Sequence, residues 1–194
     1  IPGPMEVHAL TFGPRRAAPE SEEKSINIKL YKNREFVNHS TKLLPEWLNF
    51  VKGVVDSDDM PPDLPRQTLL HTLRTTKQNL VSKCLDMFAE IAEKKDEYVA
   101  FYQQFGKCLQ RGVHDDPTYW TKLAELMRFR SSKSGEELIS FKTYVDRMTP
   151  GQQDIFYTTG ENIAAVSSSP TLEALRNEGI EVLYMLDPID EYTV

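Results

Sequence analysis

The stretch "DIFYTTGENIAAVSSSPTLEALRNEGIEVLYML" (residues 154–186) decides how this chain is built. Its opening residues are aromatic and β-branched and run into Gly160, the mark of a strand entering a turn. "ENIAAVSSS" and "SPTLEALRNEG" then read as helical, the second closing at Gly179, and "EVLYML" (181–186) reads as a buried strand. Strand, helix and strand in that order make a βαβ unit, which predicts parallel strands joined by a right-handed crossover. The fold class that follows is α/β, not a helical bundle.

Upstream of this unit, "SFKTYVDRM" (140–148) is a short helix and "TPGQQ" a turn. Residues 94–129 hold two helical patterns. In the first, Tyr98, Phe101, Tyr102 and Phe105 form one stripe, with Gly106 expected to interrupt it and Gly112 to end it. "PTYWTKLAELMRF" (117–129) is the second. Before them, Leu69, Leu73, Leu80, Cys84, Met87, Phe88 and Ile91 recur at helical spacing from Thr68 to Lys94, with an exposed turn expected at 74–79. "MEVHALTF" (5–12) predicts a strand. "INIKLYKNREFV" (26–37) alternates as one strand, with Ile26, Ile28, Leu30 and Phe36 sharing a face with Lys32 and Arg34. Residues 43–57 predict a short helix at Pro45–Lys52 and a β-branched segment at Val54–Val55. The expected architecture is a large αβα sandwich (1–93), a helical connector of three consecutive helices closing at 94–129, and a smaller αβα unit (130–194) whose C-terminal part is cut short.

Composition removes several functions. The 194 residues carry a net charge of −6, where a nucleic-acid partner calls for a basic face. No apolar run approaches the roughly 20 residues that span a bilayer, so no membrane partner is expected. Cys84 and Cys108 sit in helical patterns and read as buried free thiols. The chain opens directly into a strand and shows no signal peptide, as a piece of a longer protein would.

Chemistry is sparse. His8, His39, His71 and His114 are scattered and none stands at metal-ligand spacing with another. "YTTGEN" (157–162) lies where a strand meets a helix but lacks a three-glycine fingerprint, and "DSDD" (56–59) lacks the glycine and distal glutamate of a calcium loop. There is no Gly-x-Ser-x-Gly elbow. One residue is oddly placed. In "DMPPDLPRQTLL" (59–70), Pro65 pushes Leu64 out of the α region and starts a helix, so Arg66 falls in the opening turn. That end of a helix carries partial positive charge, which disfavours a cation but favours a phosphate beside it. Arg66 reads either as a surface arginine or as a cation completing another domain's phosphoryl-transfer site.

"NIKLY", "PEWLNFVKGVVDSDDMP", "LAELMRF", "YVDRM", "SSP", "GIEVLYML" and "DPIDEY" occur in the order and spacing of the middle domain of heat-shock protein 90 chaperones, which the chain resembles from about Met5 to its end. The resemblance implies a segment between an N-terminal ATP-binding domain and a C-terminal dimerisation domain, in a chaperone that is a homodimer at full length. Client proteins and an ATPase-activating co-chaperone are the implied partners. ATP with magnesium is the implied cofactor, bound mainly by the N-terminal domain. The loop Pro61–Leu70 corresponds to the family loop whose arginine, here Arg66, meets the ATP γ-phosphate. Phe36 matches a phenylalanine that seats the N-terminal domain, and Arg34 one of two adjacent arginines in its strand.

Where this chain departs from that pattern, it does so mainly in the loop. The family usually reads Asn-x-Ser-Arg-Glu, where this chain has Asp63, Pro65, Arg66 and Gln67. Leu70 stands where a glutamine normally aids the nucleotide contact, Asn33 replaces the second strand arginine, and the helix is about two residues short between Leu70 and Asn79. "VDSDDMP" and "CLDMF" resemble the endoplasmin-like paralogue, so the implied compartment is the cytoplasm or the endoplasmic-reticulum lumen, with a lean to the latter.

Overall fold

The computed structural model describes residues 8–13, 28–32, 35–38, 43–56 and 66–193. The chain divides into two compact units, Ile1–Lys94 and Lys95–Val194. The class is mixed α/β, as the sequence predicts.

The first unit contains a four-stranded sheet in the order β1-β4-β2-β3, from β1 (His8–Phe12), β2 (Ile28–Lys32), β3 (Glu35–Asn38) and β4 (Lys52–Asp56). β4 pairs antiparallel with β1 and parallel with β2, so it and β2 are the two inner strands. Gly53 at its start is required by close approach. A Cβ there would lie 2.5 Å from the Leu10 carbonyl oxygen, a backbone atom that cannot move aside. Val55 and Ile28 are buried while Lys52 and Lys29 are exposed, the alternation of a sheet with one covered face.

The single strand expected over 26–37 is two strands. β2 and β3 pair antiparallel with Lys32 opposite Glu35, and the register slips between Leu30 and Tyr31. The antiparallel pairing means that the chain reverses between Lys32 and Glu35. The alternation runs on across the reversal and hides it. Phe36 therefore pairs with Tyr31 and does not continue the line of Ile28 and Leu30.

The helix expected at Pro45–Lys52 is one 3-10 turn, Glu46–Leu48, and Lys52 already belongs to β4. Trp47, Leu48 and Val51 are buried, as are Leu80, Val81, Cys84, Leu85 and Phe88 of α1 (Arg66–Ala92). Phe50 stacks on Phe88 with ring centroids 5.7 Å apart, tying the segment before β4 to the helix. No turn breaks α1 at 74–79; Thr76 is buried among those polar residues, and the helix runs through them. Burial holds Cys84 as a thiol, its pKa pushed up to about 11.

The second unit begins with α2 (Lys95–Asp115), whose Tyr98, Tyr102, Phe105 and Leu109 are buried. Gly106 and Gly112 neither interrupt nor end it. Both are buried inside the helix, and a Cβ at Gly106 would lie 3.0 Å from the Tyr102 ring, so the glycine makes room for that ring. A 3-10 turn at Pro117–Tyr119 leads into α3 (Trp120–Leu126), shorter than the 117–129 expected. Tyr98 donates through its hydroxyl to the Leu126 carbonyl at 2.5 Å, and the Arg128 guanidinium lies 4.4 Å over the Tyr98 ring. Arg128 also donates to the carbonyls of Glu125 and Met127, so it closes the end of α3.

A three-stranded sheet follows in the order β5-β7-β6, from β5 (Arg130–Ser131), β6 (Tyr157–Thr159) and β7 (Leu183–Met185). β6 and β7 are parallel, as the βαβ reading requires, though each is three residues long. Between them run α5 (Ile163–Ser167) and α6 (Pro170–Asn177), whose Val166 and Leu172 pack with Val182 and Tyr184. α4 (Phe141–Asp146) is capped by Ser140, which accepts from the Thr143 amide at 3.1 Å. Tyr144 of α4 is fully buried and makes three bonds through one oxygen. It donates to the Glu181 carbonyl at 2.6 Å and accepts from the Phe156 amide and the Gln152 side chain.

Candidate functional site

The candidate loop lies between two described ends: β4 stops at Asp56 and α1 starts at Arg66. Pro65 and the rest of 57–65 lie outside the described residues, as does Arg34. The start of α1 at Arg66 agrees with the placement of the prolines, which disfavour helix before it. No acidic residue stands in the first turn of α1. The partial positive charge of a helix N-terminus favours an anion there.

Arg66 and Leu70 are one helical turn apart on the same side of α1, and Gln67 precedes Leu70 by three positions. Further along α1, Leu80 and Val81 are buried, about 20 Å along the axis from Arg66 at 1.5 Å per residue. Phe36 belongs to edge strand β3. Of the six residues singled out in the sequence, Arg66, Gln67 and Leu70 thus share the opening of one helix, and Phe36 lies on a strand of the same unit.

The weaker candidates resolve into structural roles. Asn162 of "YTTGEN" caps α5, accepting from the Ala165 amide at 2.9 Å, and so satisfies that helix end itself. Asp56 closes β4, and the rest of "DSDD" lies outside the described residues. His114 meets Asp115 at 2.8 Å. Among the described residues no three His, Cys, Asp or Glu side chains gather as a metal site, and no helix is long and apolar enough to cross a membrane. Cys84 is buried and Cys108 half-buried, both as free thiols.

Nothing in the local sequence pattern announces the buried polar groups of the second unit. Gln110 donates to Asp190 at 2.5 Å, binding "DPIDEY" to α2, and Lys107 meets Asp187 of the same segment at 3.2 Å. Burial raises the Asp190 carboxyl above its ordinary range. Glu181 is 2% exposed and accepts from the Ser131 hydroxyl, with Arg147 at 3.6 Å. The Gln110–Asp190 and Ser131–Glu181 pairs lie 80 and 50 residues apart in the chain, so no local motif announces them.

A four-stranded α/β unit with a cation at the head of its longest helix, followed by helices and a second βαβ unit, is the architecture of a chaperone middle segment. The comparisons with known proteins agree. The family model described as "Hsp90 protein" matches residues 1–194. The chain is 44% identical over 200 residues to heat shock protein 83 of Leishmania donovani, covering all of this chain and 44% of that protein. It is 38% identical over 224 residues to an endoplasmin homolog of Leishmania infantum, covering 29% of it, and 41% identical over 199 residues to chaperone protein HtpG of Geobacter sulfurreducens, covering 31% of it. The solved middle domain of a Plasmodium falciparum heat shock protein superposes with a TM-score of 0.86 at 30% identity, covering all of this chain and 77% of that one. The chain belongs to the Hsp90 family and is its middle domain. It spans less than half the length of the curated relatives it matches.

Proposed function

We propose that this chain is the middle segment of an ATP-dependent chaperone and lends Arg66 to the γ-phosphate of ATP held mainly by the N-terminal domain of the same protein. The observation that carries the reading is the family match over all 194 residues, supported by α1 opening at Arg66. The helix start fits a phosphate, since amide donors and a guanidinium stand there without an acidic residue in the turn. ATP with magnesium, when bound, supplies the transferable phosphoryl group. Arg66 stabilises the charge that develops on it, and Phe36 and Arg34 help seat the N-terminal domain. Residues 1–93, 94–129 and 130–194 act as the large sandwich, the connector and the small sandwich. Immature client proteins and an ATPase-activating co-chaperone bind the segment, and the full-length protein is a homodimer.

In the full-length protein Arg66→Ala lowers ATP turnover by about a hundredfold or more while leaving ATP affinity nearly unchanged. Steady-state turnover and nucleotide titration check this; unchanged turnover rules the catalytic role out. The isolated segment neither binds ATP tightly nor hydrolyses it.

Leu70 favours a second reading, a client- and co-chaperone-binding scaffold with a degenerate catalytic loop. Leucine offers phosphate no hydrogen bond where the family has glutamine. Leu70→Gln separates the two readings: a gain of about threefold in turnover marks a weakened catalytic site, and no gain over negligible activity marks the scaffold. The compartment is the cytoplasm or the endoplasmic-reticulum lumen. The higher identity to heat shock protein 83, reached over 200 residues against 224 for the endoplasmin homolog, supports the first more than the loop motifs support the second.

A further inference from the structure

Two serines or threonines in the chain stand directly before a proline, Thr149 and Ser169. The structure treats their hydroxyls differently. Thr149 donates through its side chain to Gln152 Oε1 at 3.3 Å, within the turn before β6. Ser169 lies between α5 and α6 as the N-cap residue of α6, and Pro170 holds its backbone extended, at φ −69° and ψ 131°. Its side chain makes no capping bond, although Ser140 and Asn162 cap α4 and α5 with theirs. The two serines before it are engaged as well. Ser167 donates to the Ile163 carbonyl at 2.6 Å and Ser168 to the Ala165 carbonyl at 3.0 Å. In the run Ser167–Ser169 only the last hydroxyl has no partner among the described residues, and Ser169 is half-buried.

A cap serine that does not cap leaves its oxygen free for other chemistry, and an extended serine followed by proline suits a kinase that selects proline at that position. We propose that Ser169 is a phosphorylation site for a proline-directed protein kinase, and that the phosphate supplies the cap that the hydroxyl leaves unmade. The Ser169 oxygen attacks the γ-phosphorus of ATP held by the kinase. An O–P bond forms, the bond to the ADP oxygen breaks, and the hydroxyl proton passes to the kinase's base. The product carries nearly two negative charges at the N-terminus of an eight-residue helix, the end where an anion is favoured. Glu173 in the first turn opposes part of this gain. At the other end Arg176 donates to the Tyr184 hydroxyl at 2.9 Å, and between them Leu172 packs with Val182 and Tyr184. The phosphate therefore steadies the helix that crosses from β6 to β7, a charge-operated brace on the second unit. The proposal goes beyond the Arg66 reading and does not rest on it.

The test treats the full-length chaperone with a proline-directed serine/threonine kinase and ATP, and maps phosphate by mass spectrometry of its peptides. Ser169 is expected to carry it and Thr149 to stay unmodified. Ser169→Ala should abolish labelling of this segment, and Pro170→Ala should reduce it about tenfold. Circular dichroism verifies that both variants fold. Phosphorylation should raise the thermal midpoint of the 194-residue chain by about 2 °C, and Ser169→Glu should raise it by less. No phosphate on this segment, phosphate on Thr149 in place of Ser169, or labelling indifferent to Pro170→Ala overturns the proposal. So does an unchanged or lowered midpoint with Ser169 fully modified, because the phosphate would then not act as a cap. A failure here leaves the Arg66 reading standing, since that is tested by turnover of the full-length protein without any kinase.

Discussion

The two units use polar residues in opposite ways. In the second unit Gln110, Asp190, Ser131 and Glu181 are buried and bonded to partners far away in the chain, and Tyr144 spends one hydroxyl on three of them. In the first, the residues that suggest chemistry stand at the head of α1. A buried polar group that finds its partner inside its own fold holds the fold together; it is not available for a substrate. On the proposed reading, chemistry belongs at the helix head, where Arg66 stands against the preference of the dipole and awaits a phosphate from elsewhere.

The comparison breaks most visibly if the first unit does not depend on apolar anchoring. Phe88 is fully buried and stacked on Phe50, so Phe88→Ala should cost about 3–5 kcal/mol in chemical denaturation. A loss below about 1 kcal/mol would mean that α1 is held by something other than this core. In the second unit the anchor is polar. Tyr144→Phe keeps the ring and removes the hydroxyl, leaving the Glu181 carbonyl and the Phe156 amide without that partner, for an expected cost of about 2 kcal/mol. An unchanged midpoint would reduce that network to ornament.

The smallest effect is a pH dependence. Burial raises the Asp190 pKa in the folded state, so between the ordinary value of 3.8 and the raised one the folded chain holds more protons than the unfolded chain. Stability must then fall as pH rises through that window, and below 3.8 the contribution is fully present. Denaturation midpoints of the chain and of Asp190→Asn over that range measure it: the difference between them should carry the slope. A slope of opposite sign would mean that Gln110 and the neighbouring amides outweigh burial.

Much of the fold was legible because its signals are local. The βαβ unit at 154–186 showed itself through a change of period, and the start of α1 through Pro65 before a run of helical spacing. The misreadings were local as well. Lys32 and Glu35 continue one alternating pattern although the chain turns back between them, and glycines at 106 and 112 carry a helix-breaking preference that burial against Tyr102 and its neighbours overrides. The polar run at 74–79 stays helical because the residues after it are anchored and helix formation is cooperative.

By itself, then, the sequence determined the α/β class, the family, and the position of Arg66 at a helix head, because periodicity, prolines and ordered segments are properties of neighbouring residues. Tertiary structure alone decided that Ile28–Lys32 and Glu35–Asn38 fold back on each other and that Gln110 meets Asp190 and Ser131 meets Glu181. Those outcomes depend on which distant residues come into register, and a local pattern tells which face is apolar without telling what will cover it.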